Sequence, residues 1–225
     1  MRVLRGRGAT PAADHAISTE LVEVTAETGV PGVRVWYPPK QVAFGRRDRS
    51  APGYERARVV AAQRGYPPVQ RRVGGRAVAF TGEVLAFALA RPSGVDRTGI
   101  GRRYDEVLDD LRDALADCGV AAEPGEPRDS FCPGSHSLQA GGKIAGLAQR
   151  VRRDAAVVAG LVIAHDERAV ASVLEPVYDA LDAPFVPESV GSVAAAGGDP
   201  AGLRDAVEAA LVGDARRTVR QVGEA

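Results

Sequence analysis

Apolar positions along this chain recur at two spacings, every third or fourth residue in some stretches and every second in others, with glycine and proline marking the changes. Residues 11–28, PAADHAISTELVEVTAET, place Ala12, Ala16, Leu21 and Val24 at roughly helical spacing, with Pro11 suited to a first turn and Gly29 to a stop. GVRVWYPP (32–39) alternates Val33, Val35 and Tyr37 as a strand does, and QVAFGR (41–46) reads as a second short strand. A helix is expected over 54–64, YERARVVAAQR, closed by Gly65. PVQRRV and RAVAF, within 68–80, flank Gly74-Gly75 and read as strand, turn, strand, and EVLAFALARP (83–92) as a strand ended by proline. The clearest amphipathic helix spans 101–119, where Tyr104, Val107, Leu108, Leu111, Leu115 and Cys118 share a face and Gly119 supplies the C-terminal stop. Beyond it come a loop and three strands up to residue 164, a helix at 167–182, a Pro/Gly-rich link and a last helix at about 199–213. Strands thus occur in consecutive pairs with helices between the pairs, which predicts an α+β fold with a mainly antiparallel, mixed sheet flanked by helices. No repeat and no long linker divides the 225 residues, so a single domain is expected, with 167–225 as a helical C-terminal extension.

Composition narrows the classes. Hydrophobic residues make up 45% of the chain, enough for a sizeable core. Lys+Arg and Asp+Glu both total 29, so the basic excess of a nucleic-acid binder is missing. Two cysteines build no disulfide framework, MRVLRGRGATPAAD has no apolar core of a signal peptide, and the longest apolar run, AAVVAGLVIA (155–164), is too short to span a bilayer. These features predict reduced thiols, a cytoplasmic location and no membrane partner.

Three groups of residues carry candidate chemistry. In QRRVGGRAV (70–78) the two glycines let backbone approach a ligand closely, and Arg71, Arg72 or Arg76 add charge; a hairpin turn with solvated arginines is the alternative. In DSFCPGSHSLQAGGKIAGLAQR (129–150), Cys132 stands at a sharp turn, and Lys143, one of two lysines with Lys40, follows a glycine pair. A thiol becomes nucleophilic beside a cation, and Lys143 is that cation if the strand folds back through 140–142; Lys143 equally suits polarising a carbonyl or holding a carboxylate. A buried small cysteine and a solvated lysine remain the plain alternative, as Cys118 on its helix face is read to be a small buried hydrophobe. Among the histidines, His136 is a candidate base for Cys132, and His165 reads as a strand end. No metal site is expected, since Cys132 and His136 are too few soft ligands.

Taken together, PAADHAISTELVEV, VRVWYPPKQVAFGR, QRRVGGRAVAFTGEVLAFAL and GGKIAGLAQR resemble, in order, segments of the biotin/lipoate ligase superfamily, in its lipoate–protein ligase and octanoyl/lipoyl-transferase branch. The resemblance covers about residues 10–165 and implies a catalytic domain of class II synthetase type. FCPGSHSLQAGGKIAGLAQRVR is most similar to the transferases, which implies Cys132 as the residue carrying the acyl group as a thioester and Lys143 beside the acyl carbonyl. It further implies an acyl slot lined by Gly74, Gly75 and their neighbours Arg71 and Arg76. Backbone N–H groups of the GGKIAG turn, which includes Gly142 and Gly146, are expected to act as oxyanion donors with Lys143. The implied partners are lipoyl-domain carrier proteins, the E2 subunit of 2-oxoacid dehydrogenases or the glycine-cleavage H protein. Arg150, Arg152 and Arg153 are placed to steer an acidic one, or to form an ordinary solvated strand edge. The transferase needs no cofactor; the alternative, a ligase working through lipoyl-AMP, needs ATP and Mg. The 60 residues beyond the resemblance leave little room for a large C-terminal accessory domain, which favours the transferase or a ligase with a separate partner chain. The chain departs from the family pattern at Gln70, Phe80 and Thr81, which keeps a third reading open, a diverged non-catalytic accessory subunit.

Overall fold

The computed structural model describes residues 1–71, 74–93 and 99–223. Its strands are β1 (Arg2–Arg5), β2 (Gly32–Trp36), β3 (Gln41–Phe44), β4 (Pro68–Gln70), β5 (Val78–Phe80), β6 (Val84–Pro92), β7 (Glu123–Pro124), β8 (Ser137–Gln139), β9 (Lys143–Val151), β10 (Ala155–Ile163) and β11 (Thr218–Gln221). Its helices are α1 (Pro11–Thr28), α2 (Arg46–Arg49), α3 (Tyr54–Gln63), α4 (Ile100–Asp117), α5 (Glu167–Ala180) and α6 (Leu203–Val212). The main sheet runs β11-β1-β2-β6-β10-β9-β8-β7. It is antiparallel from β2 onward, and β1 lies parallel to both β2 and β11. A small second sheet runs β4-β3-β5. The expected mixed, mainly antiparallel α+β architecture is therefore present.

Alternation sorts the main sheet's two faces. Val33, Val35, Leu85, Phe87, Leu89, Val158 and Val162 pack under α4 and α6. Ala88, Ala90 and Ala155 of the opposite face pack under α1 through Leu21 and Val22. Farther along that face, Val84, Leu161 and Ile163 meet α3, α5 and the small sheet in a separate cluster. The chain from 167 onward is part of this packing: α5 and α6 each bury an apolar stripe, and β11 extends the main sheet.

Two expectations change. The segments either side of Gly74-Gly75 do not form a hairpin: β4 pairs parallel and β5 antiparallel with β3, which lies between them. Gly75 instead packs closely on Gly45, where a Cβ would come 2.0 Å from the Gly75 carbonyl oxygen. Arg72 and Val73, part of that expectation, lie outside the described residues. Second, α1 forms where its pattern places it, capped by Thr10 Oγ1 and stopped by left-handed Gly29, yet Ala12 and Ala16 face solvent. The buried face is Asp14, Leu21, Val22 and Thr25, because Asp14 turns inward to meet the buried Arg34.

Candidate active site

A slot of about 300 Å³ lies between α1, the small sheet and the main sheet. Its floor is cut from small residues, Ala86, Ala88, Ala148, Ala159 and Gly160, and it stays open because none of them fills the space beneath α1. Apolar side chains including Val22, Val69, Val78, Phe131 and Leu161 line much of the rest. Cys132, Arg71 and Lys143 all stand on the wall of this slot.

Cys132 occupies a left-handed turn with φ 43°, a conformation that a non-glycine residue keeps only where neighbours hold it. Three parts of the chain do so. Its amide donates to Tyr178 Oη at 2.6 Å, and that hydroxyl donates in turn to the Ala77 carbonyl at 3.0 Å. Its carbonyl accepts from Lys143 Nζ at 3.0 Å. Its sulfur receives Arg71 Nη2 at 3.1 Å and the Arg76 amide at 3.4 Å. The sulfur also lies against Gly75, where a Cβ would come 2.6 Å from it and where φ is 87°. Glycine is required there on both counts.

Lys143 opens β9 and is 1% exposed, whereas Lys40 is exposed. Its ammonium has four oxygens at 3.0 Å: both carboxylate oxygens of Glu126 and the carbonyls of Phe131 and Cys132. Glu126 also accepts from Ser137 Oγ at 2.6 Å and the Gly134 amide at 3.2 Å, so one carboxylate ties both ends of the 131–137 turn to the lysine. Gly146 faces Lys143, with a Cβ there 3.1 Å from Lys143 Cε.

Arg71 donates through Nη2 to the Arg76 carbonyl as well as to the sulfur, and its backbone amide reaches the Phe44 carbonyl at 3.0 Å. Arg76 Nη1 stands 3.5 Å from Asp48, a buried carboxylate that caps α2 by accepting from the Gly45 amide. Burial pushes the Asp48 carboxyl up, opposed by the Gly45 amide and then by Arg76 and Arg71. Burial likewise pushes the Tyr178 hydroxyl well above the ordinary range, with Cys132 adding to the effect.

The fold thus brings Arg71, Gly75, Arg76, Cys132 and Lys143 together, with Gly146 beside the lysine. Gly142 packs on Gly191 instead, a Cβ there falling 2.7 Å from the Gly191 nitrogen. Gly74 has open space around it. The group that reaches the sulfur is Arg71, and Lys143 reaches the backbone behind it. His136 stacks on Tyr104 with ring centroids 3.6 Å apart, and His165 pairs with Glu83 at 2.8 Å. Both cysteines are free, and Cys118 is buried in the α4 core, where burial raises its thiol. Glu126 and Tyr178 escape a reading by motif. Glu126 sits in a Pro/Gly-rich loop among other acids, and Tyr178 lies on the apolar face of α5, where a ring is expected for packing alone.

This geometry can be set beside known proteins. The model of the lipoyl protein ligase A/B catalytic domain matches residues 10–211. The chain belongs to this family. Among its relatives are an octanoyl-GcvH:protein N-octanoyltransferase of Geobacillus kaustophilus, 34% identical over 149 residues, or 65% of this chain and 53% of that protein. A lipoyl-GcvH:protein N-lipoyltransferase of Listeria monocytogenes is 34% identical over 119 residues, 52% of this chain and 43% of that protein. The chain spans about half the length of these curated relatives. In fold, it matches a lipoate-protein ligase A bound with ATP at a TM-score of 0.76 and 19% identity, over 100% of this chain and 88% of that one. A bi-partite lipoate protein ligase from Thermoplasma acidophilum follows at 0.62 and 19%, over 100% and 87%. The fold is thus the catalytic-domain fold of the biotin/lipoate ligase superfamily. Among the described residues no helix is long and apolar enough to cross a membrane.

Proposed function

We propose that this protein moves an octanoyl or lipoyl group onto a lysine of a lipoyl-domain carrier protein through a thioester on Cys132. The observation that carries the reading is a cysteine sulfur on the wall of an apolar slot, in a left-handed turn, facing Arg71 Nη2 and the Arg76 amide. The names of the Geobacillus and Listeria relatives, which act with octanoyl or lipoyl groups and GcvH, support it. In the first half-reaction the Cys132 thiolate attacks the acyl carbonyl of the donor carrier, and the tetrahedral intermediate expels the donor's lysine amine, which leaves with a proton. In the second, the acceptor's neutral amine attacks the thioester and releases a proton, the carbon–sulfur bond breaks and the thiolate returns, so the proton taken up by the first leaving amine is replaced. Splitting the transfer in two avoids direct attack of one lysine on the other's amide. The carriers in this reading are the glycine-cleavage H protein and the E2 subunit of 2-oxoacid dehydrogenases, and the location is the cytoplasm. Residues 1–225 work as one catalytic domain, and the 167–225 extension contributes Tyr178 to the nucleophile's turn.

Incubation with an octanoylated carrier, without ATP or Mg, is expected to add one octanoyl group to the intact protein, removable by hydroxylamine and lost in Cys132→Ser with the fold unchanged. Acylation of that variant at the wild-type level would reject the thioester. A strict need for ATP and Mg, with AMP released, would indicate the ligase course instead. Carrier binding with no acyl transfer would indicate an accessory subunit.

A further inference from the structure

We propose that Glu126 is the positioning residue for Lys143: its carboxylate holds the ammonium charged and in place on the slot wall, and yields one of its two contacts to the oxygen of the incoming acyl group. The inference rests on the thioester reading and adds to that site a residue from the loop after β7.

Lys143 lines the slot, yet its side chain is 1% exposed. A charge buried this deeply is kept only with a counter-ion and filled hydrogen bonds. Four oxygens stand 3.0 Å from Nζ: Glu126 Oε1 and Oε2 and the carbonyls of Phe131 and Cys132. Among the described residues, Glu126 is the carboxylate paired with this ammonium. An ammonium has three N–H donors, so the empty site already offers one acceptor more than it can serve. An acyl oxygen reaching Nζ must therefore displace one of the four. Neither carbonyl can leave without moving the Phe131–Cys132 peptide, and the nucleophile with it. Glu126 can yield. If Oε2 lets go, it keeps Ser137 Oγ at 2.6 Å and the Gly134 amide at 3.2 Å, while Oε1 stays on Nζ. The ion pair survives the exchange, and no carboxylate oxygen is left without a donor.

Glu126 is also placed by a fixed backbone. The Gly125 amide donates to the Ser137 carbonyl at 3.0 Å, which continues the β7–β8 ladder by one residue. A Cβ at Gly125 would fall 2.2 Å from Gln139 Nε2, so the chain lies close on β8 there. Pro127 then restricts the backbone of Glu126 itself. The carboxylate side chain is 22% exposed, so the buried pair meets solvent on the glutamate side.

The test uses the full chain. Acyl-Cys132 formation from saturating octanoylated carrier is followed by intact mass, and each variant is compared with the wild type at the same pH. Glu126→Gln keeps an oxygen for Ser137 and Gly134 but removes the charge. The titratable residues set against the ammonium are Glu126 and Cys132, the second through its carbonyl. A buried ammonium without its counter-ion gives up its proton more readily. The variant should therefore be slowed about 100-fold at about pH 9, the scale of a lost oxyanion donor, and about tenfold or less at about pH 6. A role confined to packing the turn would give one factor at every pH; that result, or a wild-type rate, would overturn the assignment. Glu126→Asp keeps the charge but is one methylene short, and should fall between the two. If Glu126→Gln does not fold, Glu126→Asp decides, and a wild-type rate in it counts against the inference. Failure of the wild type to form acyl-Cys132 would instead remove the thioester reading. Trace labelling of amines with acetic anhydride then reads the pair by itself. In Glu126→Gln, Lys143 should label several-fold more relative to the exposed Lys40, and an unchanged ratio would reject the role of Glu126.

Discussion

Cys132 owes its position to groups far from it in sequence: Tyr178 at its amide, Lys143 at its carbonyl, Arg71 and Arg76 at its sulfur. Tyr178 is the most testable of these, because its hydroxyl alone joins the cysteine turn to the Ala77 carbonyl while its ring fills the α5 core. Tyr178→Phe keeps the ring and leaves two buried backbone groups unpaired, an expected loss of about 1–3 kcal/mol, readable as a shift in the urea midpoint. The same variant checks a pH effect. Burial raises the Tyr178 hydroxyl well above the ordinary 10.0, so the folded protein keeps a proton that the unfolded chain releases. The unfolded state then binds fewer protons above about pH 10, and stability falls as pH rises past that point. A shallower alkaline fall is expected in Tyr178→Phe than in the wild type; parallel profiles would refute the assignment of that proton to Tyr178.

At the scale of elements, α1 is joined to the sheet by a polar knot rather than by an apolar stripe alone. Arg34 of β2, fully buried, donates to the Asp14 carboxylate at 2.5 Å, the Asp14 carbonyl at 3.0 Å, Ser18 Oγ at 2.8 Å and the Gly6 carbonyl at 3.0 Å. Trp36 Nε1 donates to the other Asp14 oxygen at 2.9 Å, and the guanidinium lies 3.9 Å from the Trp36 ring. Asp14→Asn leaves the buried guanidinium without its counter-charge, an expected cost of about 3–5 kcal/mol; since Asp14 and Trp36 line the slot, acyl binding should weaken as well. A denaturation midpoint within error of the wild type would show that the knot contributes little. This knot explains why the α1 pattern located the helix but not its inward face: a buried Asp breaks the apolar stripe, and Arg34, 20 residues away, cannot be seen as its partner from local spacing. The 68–80 segment misleads for a related reason. Two short β-branched runs around a glycine pair are what a hairpin looks like, and only pairing with β3 separates them.

For the whole molecule, charge balance hides a local asymmetry. The formal net charge is zero, yet Arg46, Arg47 and Arg49 are exposed on α2, whose Arg47 amide reaches the Gly75 carbonyl at 3.4 Å behind the cysteine sulfur. Arg152 lines the same slot from β9's end. An acidic carrier approaching Cys132 would meet this basic rim. Raising ionic strength from about 0.05 to 0.5 M should therefore lower kcat/KM for the carrier several-fold, with kcat at saturating carrier little changed, since salt screens exposed charges over about a nanometre or less. Arg46→Gln with Arg47→Gln should flatten that dependence; an unchanged salt profile in the pair would place the docking surface elsewhere.

Local sequence determined the five longer helices, most of the long strands and the α+β class, because periodicity and glycine or proline stops act over a few residues; the short α2 was not foreseen. It also marked Cys132, Lys143, Arg71 and the glycines as the places to look, since rare side chains and paired glycines stand out without any knowledge of contacts. Only the tertiary structure decided which charge faces which atom. Short strands such as β1 and β11 became visible only through pairing, β1 with β2 and β11 with β1, and Glu126 and Tyr178 acquired roles only when loops and helices distant in the chain packed together. Hydrogen-bond capacity is a property of a residue, but its use depends on the neighbours. Lys143 and Arg71 look interchangeable as cations in sequence, and the fold gives them different partners: the Glu126 carboxylate and two carbonyls for Lys143, the Cys132 sulfur and the Arg76 carbonyl for Arg71.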